Sequence, residues 1–63
     1  MTMIVLSHPN DSCPCFRVFG VYDGPHDRLA FDLHEFEDQD LAEQVARKLM
    51  EVHEADHFRR IVR

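Results

Sequence analysis

The residues best suited to chemistry lie in one acidic run, FDLHEFEDQDLAEQ, at positions 31–44. The run holds six carboxylates and one histidine, and it contains no Lys or Arg. The carboxylates belong to Asp32, Glu35, Glu37, Asp38, Asp40 and Glu43. Such a run can be a metal or catalytic site, the acidic start of a helix, or a surface that attracts a basic partner.

Catalysis by this run is not expected. Paired carboxylates do acid–base work when burial separates their pKa values, and these side chains are predicted to be exposed. Two glycines in the whole chain leave no phosphate-binding glycine loop, and no Ser or Cys has an evident positioned base. A chain of 63 residues also has little material to enclose a deep cleft. We therefore expect a protein that is not an enzyme.

A metal site is the alternative that the cysteines and histidines raise. His8, Cys13 and Cys15 lie in one predicted loop, and His26 or His34 could supply a fourth zinc ligand. Structural zinc sites favour two to four residues between paired cysteines, whereas here Pro14 alone separates them. A disulfide between the two would close a small strained ring. The leading expectation is therefore no metal and no cofactor, with a metal-stapled domain as the alternative.

The string His53-Glu54-Ala55-Asp56-His57 matches the H-E-x-x-H motif of zinc proteases. That motif requires a continuous helix, a third ligand and a substrate cleft. Here it falls at the end of a predicted helix in a very small chain. Histidines at a helix C-terminus also complement its dipole without any metal, and this is the role we expect.

Three strands are predicted before the helix. TMIVLS (2–7) is a short apolar run typical of a central strand or of one covered on both faces. FRVFGVYD (16–23) is rich in β-branched and aromatic residues, and a turn at 23–27 leads to RLAFDLHEF (28–36). The third strand alternates, which places Leu29, Phe31 and Leu33 on one face and Ala30, Asp32 and His34 on the other.

One amphipathic helix is predicted over 39–56, since apolar residues recur there at helical spacing. Asp38 or Asp40 can cap its start, and Asp40 with Glu43 has the form of a capping box. Glu43 and Arg47 are spaced to form an ion pair along the helix. FRRIVR (58–63) completes the pattern as a last strand.

These elements predict a single α+β domain over residues 1–63. It has the order β-β-β-α-β and a small, mainly antiparallel sheet with the helix packed on one face. If the helix runs back along the sheet, the last strand is parallel to the first and third. It then joins the sheet at an edge.

The net charge of −5 is unevenly distributed. Residues 23–43 carry eight acids against Arg28 alone, whereas residues 44–63 have a small excess of bases. Helix capping and solubility account for part of the acidic segment. Carboxylates two residues apart on a strand repeat every ~6.6 Å, close to the ~6.8 Å of two nucleotide steps along a duplex. The segment is thus able to present charge on the scale of a phosphate row.

A small, acidic, β-rich chain with one helix resembles the anti-CRISPR proteins of phages and mobile elements. The resemblance covers length, charge and element order, and it includes no sequence motif, so no residue role is taken from it. It implies a stoichiometric inhibitor, in some members a DNA mimic, that acts on a CRISPR effector complex.

The sequence therefore predicts a non-enzymatic binding protein whose acidic residues block a basic, nucleic-acid-binding surface. We expect no direct binding of nucleic acid and no membrane span, and a monomer or homodimer as the assembly. The N-terminus lacks the features of a signal peptide, and with two cysteines this predicts a cytoplasmic protein. A further alternative is an antitoxin-like or accessory module that uses the last strand as its interface.

Overall fold

The computed structural model describes residues 1–24 and 28–62. Its elements are β1 (Thr2–Ser7), β2 (Phe16–Asp23), β3 (Arg28–Phe36), α1 (Gln39–Val52) and β4 (His57–Ile61). The predicted α+β fold with its β-β-β-α-β order is confirmed. Most of the predicted turn at 23–27, including His26, lies outside the described residues.

The four strands form one mixed sheet in the order β3-β2-β1-β4. β2 is antiparallel to both β1 and β3, whereas β4 is parallel to β1 and occupies the edge. A parallel neighbour requires a crossover, and α1 supplies it. The apolar run TMIVLS is therefore a central strand, as one of its two readings predicted.

The core lies between the sheet and α1. Ile4, Leu6 and Val18 are fully buried there. From the helix, Ala42, Ala46 and Leu49 complete the cluster. Small alanines at the contact let the helix backbone approach the strands, which suits a chain with little apolar volume. We call this side of the sheet the helix side.

A β-bulge at Asp32 changes the facing predicted for β3. Val18 pairs with His34, but two residues on, Gly20 pairs with Phe31, so β3 has one extra residue in between. Asp32 takes a left-handed backbone conformation with φ of 52°. The predicted alternation is therefore wrong beyond Phe31: Leu33 is 59% exposed, and His34 lies opposite core residue Val18.

The helix ends at Val52, four residues earlier than predicted. His53 is the C-cap, and Glu54 follows it with a left-handed φ of 48°. Glu54 N donates to Glu51 O, and Ala55 N donates to Met50 O. This is the Schellman arrangement, in which the reversed backbone satisfies the last helical carbonyls. Glu54 occupies the position where Gly usually marks such an ending, so the sequence did not predict that the helix ends at Val52.

Candidate functional site

Four acidic residues lie at the junction of β3 and α1, and we call Glu35, Glu37, Asp38 and Asp40 the acidic corner. All four are exposed. Glu35 alternates with the core-facing Phe36 and so lies on the sheet face away from the helix. Glu37 directly follows the strand, while Asp38 and Asp40 begin the helix. The corner therefore spans the top of the β3 edge and the positive end of α1.

Asp38 has a local structural role within the corner. Its Oδ1 accepts a hydrogen bond from Asp40 N at 3.0 Å, and its backbone is extended, as an N-cap requires. The predicted capping box from Asp40 to Glu43 is wrong, because Asp38 is the cap. The Asp38 carboxylate remains exposed and adds negative charge next to Glu37.

Glu43 lies away from the corner, toward β4. It accepts a hydrogen bond from the guanidinium of Arg60, which also contacts His8 Nε2 at 3.2 Å. Glu43 therefore does not form the predicted helical pair with Arg47. Its charge is matched by a strand residue seventeen positions away, a pairing that helical spacing cannot reveal.

Asp32 also separates from the corner. The bulge turns its carboxylate toward the end of α1, where it contacts His53 Nε2 at 2.6 Å. The His53 ring in turn packs edge-on against Phe31, with ring centroids 4.5 Å apart. Asp32 is thus part of the joint between β3 and the helix C-terminus, rather than of a continuous acidic face.

Unlike Asp32 and Glu43, the residues of the acidic corner have no basic partner among the described side chains. Among the side chains that the structure describes, the carboxylates with a basic partner within 4 Å are Asp32, which contacts His53, and Glu43, which contacts Arg60. Arg17 lies opposite Glu35 on β2, yet the two are not within ion-pair distance. Of the six predicted residues, the fold therefore brings together four and leaves Glu35, Glu37 and Asp40 without a cationic partner among the described residues.

The pKa of the Cys15 thiol is affected by the negative charge of the acidic corner. Burial raises the pKa of its thiol, and the neighbouring Cys13, Glu35 and Glu37 raise it further. Cys15 directly precedes Phe16, which pairs with Phe36, so it adjoins the end of β3. Both cysteines are free, and Cys13 Sγ lies 3.9 Å from Cys15 O.

The alternative metal sites gain no support from the described part of the chain. No group of three or more His, Cys, Asp or Glu is close enough there to hold a metal ion. His8 instead packs edge-on against Phe16 and contacts Arg60. The H-E-x-x-H string does not lie on one helix, because His53 is the C-cap of α1 and His57 belongs to β4. The expected role at the helix end therefore applies to His53 and is wrong for His57.

A groove between α1 and β4 was missed by sequence reasoning. It has a volume of about 310 Å³ and is lined by Glu43, Arg47, Met50, Phe58 and Arg60. Met50 and Phe58 supply apolar surface, and two guanidinium groups flank it. The helical spacing of 43, 47 and 50 was a possible signal, but only the tertiary pairing shows that this helix face meets β4.

The chain matches no family model, no curated protein and no solved structure. Within the described ranges, no helix is long and apolar enough to cross a membrane.

Proposed function

We propose that this protein is a non-enzymatic binding protein whose acidic corner occupies a basic, nucleic-acid-binding surface of a partner protein. The observation that carries the proposal is the placement of Glu35, Glu37 and Asp40. They are exposed, lie within six residues at the junction of β3 and α1, and have no ion pair among the described residues. Helix capping accounts for Asp38, and an internal ion pair accounts for Glu43. Neither role accounts for exposed carboxylates that have no such partner.

Electrostatic reasoning favours a cationic protein groove as the target. Unpaired carboxylates attract clustered Lys and Arg, speed the encounter and exclude acidic competitors. A net charge of −5 disfavours direct contact with a nucleic acid, which is itself a polyanion. By its resemblance to anti-CRISPR proteins, we propose a CRISPR effector complex as the partner and competition with its DNA as the mode of action.

The corner in this proposal is narrower than the acidic run. Asp32 and Glu43 are omitted from the contact surface because their carboxylates already contact His53 and Arg60. Asp38 contributes charge but is also needed as the helix cap. Glu35 and Glu37 are therefore the residues whose replacement separates binding from folding most cleanly.

The proposal is tested by capturing partners from the host with the wild type and the variant E35K/E37K. Capture by the wild type should fall steeply between about 50 and about 200 mM salt, as expected for a basic groove that binds nucleic acid. E35K/E37K should lose the partner at both salt concentrations.

The matched control is D11K/E51K, which changes the net charge equally at two exposed positions outside the corner. It should retain most of the binding, and circular dichroism should show both variants folded. Equal capture by E35K/E37K and the wild type would contradict the proposal.

A further inference from the structure

The outer edge of β4 is a second surface with binding capacity, and it lies across the sheet from β3. All five residues of β4 are exposed. Among the described strands, β4 pairs with β1 on one side and with no strand on the other. His8 N donates a hydrogen bond to Ile61 O, so the carbonyl group of Ile61 points toward β1. Because successive residues of a strand direct their peptide groups to opposite sides, Phe58 and Arg60 direct theirs to the open edge.

The groove between α1 and β4 adjoins this edge on the helix side. Phe58 is 41% exposed, and together with Met50 it forms an apolar floor. The Arg60 guanidinium lies 5.7 Å from the centroid of the Phe58 ring and contacts Glu43 and His8, so it is held in place. Arg47 lines the same groove and forms no ion pair within the described residues.

We propose that the open edge of β4 accepts an extended, acidic peptide segment of another protein as a fifth strand, with apolar side chains in the α1–β4 groove. Main-chain hydrogen bonds to Phe58 and Arg60 would supply affinity, and alternate side chains would supply specificity. Side chains on the helix side would rest on Met50 and Phe58. Those on the other side would meet the basic residues His57 and Arg59.

Charge complementarity selects this occupant over a second copy of the chain. Antiparallel pairing of two β4 strands would bring Arg59 and Arg60 of both copies together, four guanidinium groups in a short ladder. Arginines on an edge strand ordinarily deter unwanted pairing, and they deter basic strands in particular. An acidic strand would instead form favourable electrostatic contacts with Arg59 and Arg60. A nucleic acid could use the arginines but not the free peptide groups.

The test uses the full chain and a peptide of alternating Glu and Val, about seven residues long, which presents the two sides of such a strand. We expect it to bind, to shift the amide signals of β4 and of Met50, and to slow hydrogen exchange at Phe58 and Arg60. A Lys–Val peptide of equal length should not bind. Methylation of the peptide nitrogens in one alternate set should abolish binding, whereas methylation of the other set should not.

Two matched variants test the charged side of the edge. R59E should weaken peptide binding by about fivefold, the upper range for an exposed ion pair, because Arg59 lies on the side that the glutamates face. K48E changes the net charge equally at an exposed helix position outside β4 and should leave binding unchanged. The variant E35K/E37K should also bind the peptide, so loss of the acidic-corner function leaves this result intact.

Several outcomes would overturn the proposal. They are no binding, equal binding of the Lys–Val peptide, equal effects of both methylation patterns, and signal shifts confined to the acidic corner. A solution dimer whose Phe58 and Arg60 amides are already protected without peptide would assign the edge to a second copy instead.

Discussion

Asp38 shows how one residue can serve the fold and the surface together. Its carboxylate caps α1 through Asp40 N, and it also adds charge to the acidic corner. The sequence offered Asp38 and Asp40 as equal candidates for the cap. The choice between them depends on which backbone is extended, and Asp38 has ψ of 124°. Acidic residues at a helix start therefore need to be separated into caps and free charges before any of them is assigned to a partner.

Replacement of Asp38 by Ala should lower the free energy of unfolding by about 1 kcal/mol, the usual effect of losing an N-cap. Asp38→Asn keeps an acceptor oxygen for Asp40 N and should be close to the wild type. Chemical denaturation followed by circular dichroism measures both. Equal losses in D38A and D38N would show that charge, rather than capping, is what Asp38 contributes to stability.

Cys15 provides a direct probe of the field at the corner. Because its pKa is raised, its thiolate fraction near neutral pH is lower than that of an ordinary thiol, and alkylation should be slow. In a C13S background, E35Q/E37Q should shift the pH profile of alkylation to lower pH, since two of the charges that oppose ionisation are gone. Burial remains, so the shift is partial. Identical profiles with and without Glu35 and Glu37 would place these carboxylates away from Cys15.

At the scale of elements, the joint between β3 and the helix C-terminus depends on Gly20. A Cβ at Gly20 would lie 2.3 Å from Phe31 Cζ, because the Phe31 ring covers the glycine. The same ring packs against His53 and so cannot move without loosening the joint. The bulge at Asp32 is what brings Phe31 opposite Gly20 and Asp32 to His53.

Gly20→Ala should therefore destabilise the fold by about 1–3 kcal/mol, the usual range for overpacking. G20A/F31L, with a smaller and more adaptable side chain, should recover part of the loss. Thermal and urea unfolding of the two variants give the comparison. A neutral G20A would mean that Phe31 does not cover Gly20 in solution.

The helix ending yields a prediction of opposite sign. Glu54 occupies the left-handed position of the Schellman ending, where a non-glycine residue costs about 1 kcal/mol. Glu54→Gly should therefore raise the free energy of unfolding by up to about 1 kcal/mol, whereas Glu51→Gly, inside the helix, should lower it. The two exchanges remove the same charge and differ in backbone conformation. Destabilisation by E54G would contradict the assigned ending.

Element type and order were predictable, whereas facing and endings were not. The bounds of β1, β2 and β3 agree with the sequence pattern, because apolar and β-branched runs there are separated by turn-forming residues. The predicted facing of β3 is wrong from Asp32 onward, and the predicted end of α1 is wrong near Glu54. Both errors have one cause. Both positions have left-handed backbones without the glycine that usually marks them.

The sequence predicted which acidic residues are candidates for the site, but it did not predict which of them share one surface. The sequence identified six carboxylates as one surface, and the fold separates Asp32 and Glu43 from the other four. Their partners, His53 and Arg60, lie 21 and 17 residues away along the chain. Contacts of that separation arise from the packing of α1 across the sheet, so a local pattern carries no sign of them.

For the whole molecule, the central feature is a charge difference between opposite edges of one small sheet. The acidic corner adjoins β3, whereas β4 carries Arg59 and Arg60. The net charge of −5 is therefore unevenly distributed across the sheet. Uneven charge of this kind can orient a protein as it approaches a charged partner. Our two proposals assign the two edges to different partners.

The central claim is that the acidic corner competes with nucleic acid for a basic groove. The most direct measurement is displacement of target DNA from a purified host CRISPR effector complex by the wild type, E35K/E37K and D11K/E51K. The account predicts that the wild type and D11K/E51K displace the DNA, that E35K/E37K does not, and that displacement weakens as salt rises from about 50 to about 200 mM. Displacement by E35K/E37K as strong as that by the wild type would contradict it, as would failure of the wild type itself.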